Sequence, residues 1–267
     1  MEIKEQLLRE LAQVDKWERE QKDLWFWEKL GRLPFVLLDK VTPAFLQDKF
    51  SQLLNETVSY VETGGRYLIS EDSVYKRFIQ HVPQGVVPDS HAVAQLPLHT
   101  MDQVASDLRE NYIKLATLQG ATTGFGGIFT LAIDIPFLLG MSLKTLQEIA
   151  LCYGYNPRSK EERIFVVKCL QFTSSDIVGK RAILEELTQF QQEVAGKNVI
   201  SQIQGWREVV VTYGDHLGWK KLFQLIPIAG MLFGAYLNRK SIEDIAEAGM
   251  MLYRKRRILE KLGKLER

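Results

Sequence analysis

Apolar residues recur along most of this chain every three to four positions, the spacing that keeps one stripe on one face of an α-helix. Ile3, Leu7, Leu11 and Val14, with charged residues between them, predict a surface amphipathic helix running to about Leu30, ahead of Gly31 and Pro34. Thr42-Pro43 then offers an N-cap and a first-turn proline for a helix whose stripe is Leu46, Phe50, Leu53, Leu54, Thr57, Val58 and Val61, stopped by Gly64-Gly65. Pro83, Gly85, Pro88 and Pro97 bar a long helix from residues 82 to 98 and predict a loop there, the one place the pattern allows a boundary between an N-terminal region (1–90) and the rest (91–267). Thr100 with Gln103 reads as a capping box ahead of Val104, Leu108, Tyr112 and Leu115. A further helix spans Leu143 to Tyr153 and ends at Gly154; Asn156-Pro157 and Glu161-Glu162 open the next. Ile183, Leu187, Phe190 and Val194 mark another, and Ser241 with Asp244 caps the last. Val209-Val210-Val211 is the nearest approach to a strand and is short. The expected fold is all-α: a compact bundle of mostly antiparallel helices.

Two apolar stretches rich in glycine interrupt this amphipathic pattern. Gly120 to Leu143 is about long enough to cross a bilayer and holds a single charge, Asp134. Gly126-Gly127, and Asp134 followed by Pro136, would leave a polar break at mid-membrane, so a buried or lipid-dipping helical hairpin accounts for the same residues at lower cost. The second stretch, Leu222 to Leu237, is short for a span, contains Gln224 and Pro227, and has basic flanks on both sides. Gly120/Gly124 and Gly230/Gly234 each form a GxxxG, which lets helix backbones approach closely; tight packing of the two glycine hairpins at the centre of the bundle is the expectation.

These fragments carry a resemblance to the EcsC family. Its residues are Gly120-Ala121 with Gly124, Gly126-Gly127, Asp134-Ile135-Pro136, Gln147-Glu148-Ile149-Ala150, Tyr153-Gly154-Tyr155-Asn156-Pro157 and Glu162-Arg163. A second block comprises Leu225-Ile226-Pro227, Gly230, Asn238, Ala246 and Tyr253-Arg254. The likeness covers about residues 97 to 260 and leaves the first ninety or so without a match. Members are bacterial proteins named after one encoded beside an ABC transporter. The resemblance therefore implies work at the cytoplasmic face of the membrane, with membrane lipid or a membrane transporter as partner, and no established reaction.

Composition adds mainly exclusions. A hydrophobic fraction of 46% and a charged fraction of 25% are those of a folded domain, and a net charge of +1 supplies no global field to recruit nucleic acid or a membrane. The first ten residues spread charge where a signal peptide needs an apolar run, so an intracellular protein is expected. Cys152 and Cys169 sit inside apolar helical patterns and read as buried free thiols. His81, His91, His99 and His216 lack the spacing of a helical metal site, and Ile128-Phe129 stand where a P-loop needs Lys-Ser/Thr, so no metal or cofactor is expected.

Local chemistry leaves a few candidates. Asp134, just before Ile135-Pro136, reads first as the N-cap of a new helix and second as a ligand site. With Glu148, Tyr153 and Arg163 it could line a polar pocket, the basis of an alternative reading as an enzyme or small-ligand binder. Trp25-Phe26-Trp27 has the character of a headgroup-level aromatic cluster, and Arg254-Lys255-Arg256-Arg257 that of a basic run facing anionic lipid. No nucleic-acid motif accompanies that run. The leading expectation is a non-catalytic accessory or binding protein, peripheral at the inner face of the cell membrane; a soluble scaffold that oligomerises through the apolar hairpins is the other alternative.

Overall fold

The structure is a computed structural model that describes residues 3–21, 52, 55–64, 69–83, 86–123, 131–175, 177–190 and 238–266. All regular elements among these residues are helical, and the protein is all-α as the spacing predicts. In chain order they are α1 (Lys4–Glu20), α2 (residues 55–63), α3 (Glu71–Tyr75) continued by a 3₁₀ turn (Lys76–His81), α4 (Ser90–Gln95), α5 (Leu98–Thr123), α6 (Leu131–Cys152), α7 (Lys160–Ser174), α8 (Ile177–Phe190) and α9 (Asn238–Leu265).

α9 packs against α1, α5, α6 and α7. Its buried residues Ile242, Ile245, Ala246, Ala248, Leu252, Tyr253, Ile258 and Leu262 do not form one stripe but point around the helix, as expected of an element with neighbours on several sides. Partner numbering gives the directions. Arg109 of α5 meets Glu243 while Asp102 meets Arg254, so α5 and α9 are antiparallel. Glu162 of α7 meets Arg256 and Phe165 meets Tyr253, again antiparallel. α1 is antiparallel to α9 as well, through Lys4–Glu266 and Trp17–Glu247. α6 runs parallel to α9 at close range: a Cβ on Gly249 would lie 2.6 Å from Leu146 Cδ2. One buried cluster joins residues from Leu7, Tyr60 and Phe78 to Leu262, so the described parts of the N-terminal region contribute to the same core as the rest.

Two glycines end helices as their sequence positions suggest. Gly154 (φ +75°) closes α6 with a Schellman pattern, in which the Tyr155 N–H donates to Ala150 O at 3.0 Å and the Gly154 N–H to Leu151 O at 3.0 Å. A Cβ there would also lie 2.7 Å from the Ala94 backbone nitrogen, so α4 can approach only because none is present. Gly64 (φ +84°) ends α2 in the same left-handed region.

Several boundaries differ from the expectation. α1 stops at Glu20, not near Leu30, and Ile3 is an exposed N-cap outside the apolar seam. Residues 82–98 hold a short helix, α4, capped by the Asp89 carboxylate accepting from the Ala92 N–H at 2.7 Å. Thr100 does not cap α5: the helix starts at Leu98 after Pro97, placing Thr100 within its first turn. Leu115 is exposed and Ala116 takes the buried position. Ser159 caps α7, its hydroxyl accepting from the Glu162 N–H at 3.2 Å. Ser241 lies inside α9, and Asp244 pairs with Lys240 at 2.8 Å, so neither caps the helix. Asp134 does not hold the N-cap position either, because α6 begins three residues earlier at Leu131. Gly124 to Thr130 and Leu222 to Leu237 lie outside the described residues, and with them the packing expected of Gly124, Gly230 and Gly234 against Gly120, which is itself in α5. Among the described residues no helix is long and apolar enough to cross a membrane.

Candidate functional site

Successive residues of a helix point about 100° apart, so four in a row face every direction. In the basic run of α9 each cation consequently meets a different neighbour. Arg254 pairs with Asp102 of α5 at 3.0 Å and with Glu10 of α1, and the Tyr153 hydroxyl donates to the other oxygen of Asp102 at 2.7 Å. Lys255 pairs with Glu18 at 2.7 Å and Asp15 at 3.3 Å, both on α1. Arg256 donates to both oxygens of Glu162, at 2.9 and 3.1 Å, with its guanidinium over the rings of Tyr155 (4.1 Å) and Phe165 (4.9 Å). Arg257 donates twice to the Tyr153 carbonyl, at 2.8 and 2.6 Å, tying down the C-terminal end of α6, and pairs with Glu260 at 2.7 Å. The sequence offered Arg254, Lys255, Arg256 and Arg257 as a membrane or partner surface; in the structure the four side chains are 5 to 24% exposed and turned onto internal partners.

Of the four residues proposed for a polar pocket, the three with described side chains, Glu148, Tyr153 and Arg163, fall into separate networks. Glu148 lies between α5 and α6, with the Tyr112 hydroxyl donating to it and Lys144 and Arg77 nearby; burial nevertheless holds its carboxyl above the usual glutamate range. Tyr153, five residues on and thus about 140° around the helix axis, faces Asp102. Arg163 donates to the carbonyls of Val61 (2.9 Å) and Glu62 (3.1 Å), satisfying the C-terminal end of α2. Asp134 lies in α6, and its side chain is outside the described residues, as are Trp25 and Trp27.

Electrostatically the interior is a set of buried carboxylates held by cations. Burial raises Asp102 and Glu162 above the usual carboxylate range, against the pull of Arg254 and Arg256 respectively. It also pushes the Cys152 and Cys169 thiols up, which keeps them protonated and poor nucleophiles. Both cysteines are free, and no group of acidic, histidine or cysteine side chains among the described residues could hold a metal ion. Ion-pair networks of this kind shift pKa values for structural reasons, and what they can do here is fix helices relative to α9. The sequence reading missed Asp102, Tyr112 and Trp17 as members of these networks; the available signal was a lone polar group inside an apolar helical stripe.

A different feature lies toward the other end of the α5–α6 pair. Asp102 beside Tyr153 and Tyr112 beside Glu148 make the two helices antiparallel, so Thr123, which ends α5, and Leu131, which starts α6, belong to the same end of the pair. Toward that end Leu115 (49% exposed) and Leu118 (67%) of α5 and Phe137 (43%) of α6 are open to solvent.

Comparison with known proteins brings these observations together. Over 266 residues the chain is 56% identical to the uncharacterized protein YdbA of Bacillus subtilis (strain 168), spanning 100% of this chain and 98% of that one. It is 29% identical over 168 residues to protein EcsC of the same strain, spanning 63% of this chain and 68% of that one. No solved structure matches. The family model matches residues 8–258, which extends the likeness beyond the 97–260 read from sequence to include α1, the helix that α9 holds through Glu10, Asp15, Trp17 and Glu18. With most of α1 at one end and the α9 charge seam at the other inside the match, the chain belongs to the EcsC protein family.

Proposed function

We propose that this protein is a non-catalytic accessory protein of the cytoplasmic membrane face, touching the bilayer surface through the connected end of the α5–α6 hairpin. The observation that carries the reading is the exposure of Leu115, Leu118 and Phe137 around a glycine-rich apolar segment whose only charge is Asp134. Large apolar side chains left exposed toward one end of a helix pair are the kind of surface that lipid or a protein partner covers. With the basic run engaged internally, apolar contact supplies the affinity and salt has little influence on it.

Flotation of the full chain with phosphatidylglycerol–phosphatidylethanolamine vesicles tests this. The wild type should rise with the vesicles in low and high salt alike, and Leu118→Asp/Phe137→Asp should stay behind while keeping its helical circular dichroism. A wild type that remains at the bottom, or a double variant that floats equally well, overturns the reading. An ABC transporter as partner rests on the family resemblance. In-cell cross-linking from a cysteine placed at Leu118 should capture transporter subunits, and labelling by lipid alone would leave that partner without support.

A further inference from the structure

Of the seventeen residues of α1, three are buried, namely Leu7, Val14 and Trp17. The Trp17 ring lies 5.6 Å from that of Phe172 in α7, and its indole N–H donates to Glu247 of α9 at 2.8 Å. Alongside these anchors α1 turns three carboxylates, Glu10, Asp15 and Glu18, onto Arg254 and Lys255. Its own cations Arg9 and Lys16 point outward, with side chains 76% and 72% exposed, and pair with Glu5 and Glu20 on the same helix. From Leu7 to Glu18 the inner edge is therefore acidic and apolar, with Lys4 ahead of it paired to Glu266 of α9 at 2.8 Å. Such a seam gives specificity more than strength, because partly hydrated ion pairs are individually weak.

We propose that the surface of α7 and α9 under α1 is a docking groove for an acidic amphipathic helix of a partner protein, with α1 the occupant that the partner displaces. Charge complementarity defines the partner: apolar residues at i, i+7 and i+10 for the sites of Leu7, Val14 and Trp17, and carboxylates at i+3, i+8 and i+11 for those of Glu10, Asp15 and Glu18. A helix of that pattern makes the contacts α1 already makes, so exchange leaves no buried charge unpaired at any point in the groove. α1 then acts as an autoinhibitory cover. The proposal stands apart from the membrane reading, since none of its tests uses vesicles and failure of either leaves the other intact.

The probe is a fluorescent peptide of residues 3–21, titrated into the full chain. In Leu7→Lys/Val14→Lys the chain's own α1 cannot seat while the groove is unaltered, and the peptide should bind at least ten-fold more tightly than to wild type. A peptide with Glu10→Lys, Asp15→Lys and Glu18→Lys should lose that affinity, and adding Lys255→Glu to the open chain should restore part of it. No gain in the folded open chain, or equal binding of both peptides, overturns the proposal. Hydrogen exchange on the wild type guards against a misfolded variant: excess peptide should speed exchange of the α1 amides and leave those of α7 and α9 unchanged. Unaltered α1 exchange in saturating peptide also overturns it.

Discussion

α1 and α7 are of similar length, seventeen and fifteen residues, and both lie antiparallel against α9, yet they are held in opposite ways. In α7 ten residues are buried: Glu162, the run Ile164 to Leu170, Gln171 and Phe172. In α1 only three are. Each helix also contributes carboxylates to the α9 basic run. The Glu162 side chain that receives Arg256 is 5% exposed, whereas Asp15 and Glu18, which receive Lys255, are 42% and 14% exposed. A cation–carboxylate pair is thus a fastener in one place and a guide in the other, because the Arg256–Glu162 pair is bidentate and nearly dry whereas water screens the single Lys255 ammonium and its partners.

The largest test of this contrast is Glu162→Ala. It removes the carboxylate that takes both close hydrogen bonds of the Arg256 guanidinium, held over Tyr155 and Phe165, and leaves it Glu260 at 3.6 Å; urea denaturation should show a loss of about 3 kcal/mol. Val14→Ala, which empties part of the apolar seam of α1, should cost about 2 kcal/mol and raise amide exchange in α1 roughly 30-fold. Lys255→Ala should cost less than about 1 kcal/mol, a difference that disappears in high salt. If Glu162→Ala and Lys255→Ala prove equal, burial does not separate the two seams and the contrast collapses.

The smallest effect concerns pH. Burial raises the Glu148 carboxyl in the folded protein, so the fold binds a proton there more readily than the unfolded chain does. Its contribution to stability is then complete below the ordinary glutamate value of 4.5 and declines as pH rises through the raised one. Between about pH 5 and about pH 7 the melting temperature of Glu148→Gln should fall less than that of the wild type. Parallel curves would remove Glu148 from the pH response.

Much of the helical pattern was legible in the residues. Val104, Leu108 and Tyr112 are buried as their spacing requires, and Gly154 ends α6 where a left-handed residue is needed. Helix starts were read less well. Thr100, Asp134 and Ser241 all have the residue type of a cap, but such residues also occur inside a first turn, and Pro97 or neighbouring packing sets where the turn begins. The pocket of Asp134, Glu148, Tyr153 and Arg163 rested on nearness in sequence. Rotation around the α6 axis, and the carbonyl ends of α2 awaiting Arg163, send the described members of that set to different neighbours.

By itself the sequence determined that this protein is all-α, where its apolar stripes and left-handed glycines fall, and that it resembles the EcsC family, because helical period, backbone sterics and motif are properties of consecutive residues. Only the tertiary structure decided what Arg254 to Arg257 do. Four adjacent cations look like one basic patch along the chain, but α9 has α1, α5, α6 and α7 around it, so each rotation of about 100° delivers the next charge to a different carboxylate or carbonyl.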